Sequence, residues 1–149
     1  MISVKVKRRQ PGGDILDRIE KALEGPKTVA VGFPQDKAEG GIIERAIYNE
    51  FGTSRGIPER PFFRNAMQEN RAAYRSLMRS EAKKIMRGEG TTRRALERLG
   101  IASQGHVQQS IVDLRSPANS PATVAAKGSS NPLIDTGEMR QAVTYLVED

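Results

Sequence analysis

Four features of this chain have residue types that could do chemistry. Asp135-Thr136-Gly137 follows the apolar pair Leu133-Ile134, the local form in which two aspartates share one proton to hydrolyse peptides. One short chain would have to borrow the second aspartate from another copy, and the twelve residues after Gly137 leave little chain for the flap and sheet of such a site. The plainer expectation is a turn, with the Asp135 carboxylate as a cap, Thr136 assisting and Gly137 at positive φ. His106 is the sole histidine. With no second histidine or carboxylate at metal-ligand spacing it points to packing or an exposed contact rather than a metal site or a base. Arg71, Arg75 and Arg79 recur every fourth residue with Lys83 beyond them, a row that could neutralise phosphates or an acidic partner. A solvated helix face is the alternative for that row. The glycine pairs at 12–13 and 40–41 and Gly88-Glu89-Gly90 lack a following Lys-Ser/Thr, so turns are expected there and not a phosphate-binding loop.

Composition narrows the classes further. There is no cysteine, which excludes disulfides, thiolate metal sites and cysteine nucleophiles. No apolar run is long enough to span a bilayer, and no signal-peptide pattern opens the chain. The expectation is a protein made in the cytosol without membrane contact. Hydrophobic residues make up 37% and aromatic residues 5% of 149 positions. That is lean for one independent domain, and it suits a chain completed by neighbouring subunits. Residues 60–115 carry twelve Lys/Arg against five Asp/Glu, a net +7, while residues 1–59 carry +1 and residues 116–149 carry −2. The basicity therefore belongs to one segment.

The elements that must position these residues are legible as periodicity. Alternation over 2–8 reads as an edge strand, and Pro11-Gly12-Gly13 breaks it. Ile15, Leu16, Ile19, Ala22 and Leu23 predict an amphipathic helix over 14–24. Strand residues follow at 27–33, and a helix over 42–51 ends at Gly52. Apolar positions from Phe63 to Ile85 predict one helix over 62–87, and another over 92–114 is capped by Thr91 or Thr92. Gly100 and Gly105 lie inside that second helix and imply close packing or a kink. Residues 116–134 read as an extended loop with a helical turn near 122–127. A turn at 136–140 and a strand at 142–147 complete the chain. The expected architecture is a single α+β domain over 1–149, a small mixed β-sheet with long amphipathic helices packed on it.

Between the helices at 42–51 and 62–87, Tyr48-Asn49-Glu50-Phe51-Gly52-Thr53 leads into Ile57-Pro58-Glu59-Arg60-Pro61-Phe62-Phe63. This reads as a shaped connector. Glycine stops one helix, two prolines stiffen the loop, and Pro61 with two aromatics starts the next helix. Farther on come Gly105, Ile111, Pro117, Pro121, Thr123, Lys127 and then Pro132-Leu133-Ile134-Asp135-Thr136-Gly137. In this order and spacing the motifs resemble those of tailed-phage tail-completion and neck proteins, the virion-morphogenesis proteins similar to minor tail protein Z. The likeness runs from about residue 28 to the end. It does not account for the Arg-rich stretch 64–98.

That resemblance implies a non-enzymatic structural protein without cofactor or metal. It implies assembly in the host cytoplasm and residence in the virion neck, as an oligomeric ring, expected to be hexameric, around the DNA channel, joining the head connector or adaptor to a tail terminator or tail tube. On this view Glu50, Phe51, Gly52, Pro58, Arg60, Pro61, Phe62, Phe63, Pro132, Leu133, Asp135, Thr136 and Gly137 are expected at subunit interfaces. Arg71, Arg75, Arg79 and Lys83 are expected to face DNA or an acidic partner. The alternative reading of the residues is a small basic DNA-binding module.

Overall fold

A 22-residue helix over Thr92–Asp113 is the axis on which three other helices and both strands pack. The computed structural model describes residues 13–36, 38 and 40–148, and the strand expected over 2–8 lies outside them. In chain order the elements are α1 (Gly13–Leu23), β1 (Thr28–Gly32), α2 (Ile42–Phe51), α3 (Phe62–Glu69), α4 (Arg71–Met86), α5 (Thr92–Asp113), α6 (Pro121–Lys127), α7 (Glu138–Ala142) and β2 (Thr144–Glu148). The architecture is α+β. Helix α5 touches α3, α4, α7 and both strands.

The sheet expected to be mixed is, among the described residues, one antiparallel pair. Thr28 lies opposite Glu148 and Gly32 opposite Thr144, so the chain closes on itself across almost its whole length. Its core joins Ile42 and Ala46 of α2, Phe62 and Ala66 of α3, Val107 and Ile111 of α5, and Leu133, Met139 and Val143 from the last segment. Val107, Ile111 and Val143 are fully buried. These residues sit at helical spacing on α2, α3 and α5, which is what orients the three helices around one apolar centre.

Local chemistry sets the element ends. Thr91 Oγ1 accepts from the Arg94 N–H and starts α5, while the Thr92 hydroxyl donates to the Ala22 carbonyl at 2.7 Å and ties α5 to α1. Ser120 caps α6 and Gly128, at φ 69°, ends it, which resolves the helical turn expected inside the 116–134 loop. The single helix expected over 62–87 is two helices. Asn70 Nδ2 donates back to the Ala66 carbonyl at 2.9 Å, and such local competition for a backbone acceptor interrupts a helix. Gly100 packs against the Tyr145 ring of β2, whereas no neighbour crowds Gly105. The close packing anticipated from two glycines thus holds at one of them.

The apolar stripe expected for α1 is only partly buried. Ala22 is enclosed, but Leu16 and Leu23 remain 65% and 53% exposed. Arg18 Nη2 donating to the Gly88 carbonyl at 2.6 Å is the polar tie between α1 and the turn after α4.

Candidate functional site

The connector between α2 and α3 is built around two charged side chains turned inward. Glu50, in the last turn of α2, is 6% exposed. Its carboxylate accepts from the N–H of Phe63 at 2.9 Å and of Arg64 at 3.1 Å, and from Arg64 Nε at 2.8 Å. The first N–H groups of a helix lack partners within the helix and carry its positive dipole end. Pro61 precedes α3 and provides no side-chain cap. A carboxylate reaching across from the preceding helix therefore does the capping. Arg64 also pairs with Glu59, and it places its guanidinium carbon 5.2 Å from the centre of the Phe51 ring.

Arg60 is 4% exposed. Its planar fork donates to Asn49 Oδ1 at 2.9 Å, the Pro117 carbonyl at 2.7 Å, the Ala118 carbonyl at 3.2 Å and Asn119 Oδ1 at 3.1 Å. A guanidinium is suited to this because its donors have fixed directions. Burial pushes its pKa down from the ordinary arginine value, and every acceptor it meets is neutral. The side chain fastens the 117–119 segment to the connector. Gly52, at φ 69°, lets the backbone fold back so tightly that a Cβ would lie 3.0 Å from the Glu59 nitrogen and 3.1 Å from the Ile57 carbonyl. Thr53 closes the loop by donating its N–H to the Ile57 carbonyl at 2.9 Å and accepting from the Ile57 N–H at 3.2 Å.

The paired aromatics divide. Phe62 is 1% exposed and meets Phe33 and Phe63 edge to face, at centroid distances of 6.3 and 6.4 Å. Ser110 of α5 donates to its carbonyl at 2.8 Å. Phe63 is half-buried. With Phe33, Ile43, Ile47 and Phe51 it lines an open apolar cleft of about 250 Å³. Ile47 and Phe51 are 49% and 63% exposed beside it.

The Pro132–Gly137 segment is also held from within. Asn131 Nδ2 donates to the Val112 carbonyl at 2.9 Å, and its Oδ1 accepts from the N–H groups of Leu133 and Ile134. This is an Asx-type turn. Pro132 and Leu133 are buried. Gly137 takes φ 84° ahead of α7, as expected. The cap is different from the one expected: the Thr136 hydroxyl accepts from the Glu138 N–H, and the exposed Asp135 carboxylate makes no hydrogen bond among the described residues. Asp135 lines a cleft of about 200 Å³ with Arg45, Lys127 and Glu138.

Glu50, Arg60, Phe62, Pro132 and Leu133, named from sequence as contacts between subunits, thus spend their side chains inside the protomer. Gly52 and Pro61 shape its backbone. Of the named set, Phe51, Pro58, Asp135 and Thr136 are exposed and Phe63 is partly so. Arg71, Arg75, Arg79 and Lys83 are exposed on α4.

Two polar arrangements escaped the sequence. Glu81, 3% exposed, accepts from Lys84 Nζ at 2.7 Å and Arg98 Nη1 at 2.6 Å and joins α4 to α5. The Lys84 hydrogen bond, opposed by burial and helped by the nearby Arg98 and Arg94 charges, holds its carboxyl below the usual range. His106 Nδ1 lies 3.0 Å from the Tyr74 hydroxyl. Burial, partly offset by a Ser103 hydrogen bond, raises the tyrosine pKa. The i,i+3 spacing of Glu81 and Lys84 was a visible signal for the first. Nothing local links residues 74 and 106.

Among the described residues, no group of three or more His, Asp or Glu could hold a metal ion, and no helix is long and apolar enough to cross a membrane. No family model, curated protein or solved structure matches the chain.

Proposed function

We propose that this chain is a ring-forming joint of the tailed-phage neck, completing the tail and linking it to the head connector, and acting by shape and self-association rather than by catalysis. One observation carries the reading beyond the motif resemblance. Glu50 and Arg60 brace the connector from inside, and that brace leaves Ile47, Phe51 and Phe63 around an open apolar cleft on its outer side. A rigid apolar depression beside an exposed phenylalanine is suited to receive a neighbouring subunit. A head-to-tail interface of this kind closes into a ring when its rotation permits.

Native mass spectrometry of the full chain tests this. The expected species is a closed oligomer, a hexamer by the resemblance. Phe51→Asp should reduce it to monomer while the thermal midpoint of the protomer stays within a few degrees. A wild-type chain that stays monomeric up to high micromolar concentration, both alone and with a head-connector ring, overturns the proposal.

A further inference from the structure

Sequence alone sets two acids near the basic row of α4, and the structure turns one of them, Glu81, away from it. Glu81, the one acid within α4, is buried against α5 and held by Lys84 and Arg98. Glu69 lies across the break at Asn70, on α3. The buried side of α4 carries Glu81 and Ile85, with Tyr74, Leu77 and Met78 partly covered beside them. At about 100° per residue, the row runs diagonally from the flank of that side at Arg71, through Arg75 and Arg79, to the side opposite it at Lys83. All four are exposed, and none makes a hydrogen bond or ion pair with another described residue. Like charges four residues apart repel, so nothing among the described residues favours this row.

We propose that the outer face of α4 binds the phosphate backbone of duplex DNA without reading its sequence. From Arg71 to Lys83 the row spans about 18 Å at ~1.5 Å per residue, the axial rise of roughly five base pairs of duplex at ~3.4 Å each. The residues between the cations include Ala72, Ser76 and Ser80, small enough for a phosphate ridge to approach. A protein partner would call for a large apolar anchor at the centre of the contact, and none lies on this face between Arg71 and Lys83. A single strand would call for exposed aromatics on which bases stack. The only aromatic of α4, Tyr74, is turned to His106 at a centroid distance of 5.4 Å. The face belongs to one protomer, so the proposal stands whether or not the chain forms a ring.

Fluorescence anisotropy of a labelled random-sequence DNA duplex, titrated with the full chain at several salt concentrations, is the test. Four neutralised phosphates give a log–log salt slope of about −3.6, a loss of roughly a hundredfold between 50 and 200 mM salt. The combined Arg71→Gln, Arg75→Gln, Arg79→Gln, Lys83→Gln variant should lose binding at least a hundredfold at low salt and flatten that slope, with an unchanged circular dichroism spectrum. A control removing four cations elsewhere (Arg55→Gln, Arg115→Gln, Lys127→Gln, Arg140→Gln) should keep it. Equal loss in both variants would assign binding to net charge and overturn the proposal. So would tighter binding of a single strand, or no binding of the duplex by the wild-type chain at 50 mM salt.

Discussion

Arg60 shows how a charged residue can serve as a structural latch. Its fork satisfies two backbone carbonyls and two side-chain amide oxygens at once, which a single ammonium cannot match in direction. Arg60→Lys is expected to destabilise the protomer by about 2–3 kcal/mol, the scale of buried acceptors left unpaired beside a charge. In a chain of this size that lowers the thermal midpoint by roughly 5–10 °C. Limited proteolysis should then cut first near residues 116–120, the segment that loses its tether. A variant that melts like the wild type would show that the latch contributes nothing.

Glu81 gives a pH signature at the same scale. Its folded-state carboxyl lies below the ordinary value, so the unfolded chain takes up this proton at the higher pH. The stabilising contribution is complete above the unfolded carboxylate pKa of about 4.3 and disappears as pH falls through the folded value. Urea unfolding of Glu81→Gln against wild type should show a gap of about 1 kcal/mol at pH 7 that narrows at pH 3. A gap of equal size at both pH values would remove the ion pair as its cause. The inward roles of Glu50, Arg60 and Glu81 were poorly legible in sequence because periodicity assigns charges to the solvent side. Their partners at residues 63–64, 117–119 and 98 become neighbours only once the helices pack. Glu50 and Arg60 were expected at subunit interfaces, and the hydrogen bonds their side chains make lie within the chain.

At the scale of elements, the two glycines of α5 should behave oppositely. A Cβ at Gly100 would sit 2.6 Å from Tyr145 Cγ, so Gly100→Ala must push the ring and β2 away from α5. Overpacking of this kind costs about 1–3 kcal/mol, enough to exceed the ~1 kcal/mol that alanine gains in a helix. Gly105 has open space around it, and Gly105→Ala should stabilise by up to ~1 kcal/mol. Thermal melts of the two variants check the pair, and a destabilised Gly105→Ala would contradict the packing described. Most helix positions were readable because their apolar spacing and caps agree, as at α2 and at Thr91 of α5. The break at Asn70 was not, since the apolar stripe continues through it and the only marks are a backbone turned to φ −94°, ψ 6° and a side-chain bond that shares the Ala66 carbonyl with the Asn70 N–H. Strand β2 was visible as a strand, but its antiparallel partner 118 residues away in the chain (Val29 with Val147) leaves no mark on local sequence.

For the whole molecule the question is which phenylalanine serves the fold and which, on the proposed reading, serves association. Phe62 joins α3 to the core formed with Val107 and Ile111, and its truncation removes a fully buried ring. Phe62→Ala is expected to destabilise by about 3–5 kcal/mol, a large share of what a domain this size possesses, so much of the variant should be unfolded near 37 °C. Phe51 is more than half exposed, with its ring beneath the Arg64 guanidinium. Phe51→Ala should cost the isolated protomer less than about 1 kcal/mol. If the cleft at Ile47, Phe51 and Phe63 is where a neighbour docks, this variant should still weaken assembly strongly, because a central aromatic anchor carries a disproportionate part of an interface. Measuring unfolding by circular dichroism and assembly by sedimentation on the same two variants separates the roles. Phe62→Ala should fail in both assays, and Phe51→Ala in the second alone. Normal assembly of Phe51→Ala would place the subunit contact elsewhere, with the exposed Leu16 and Leu23 of α1 as the next apolar surface to test.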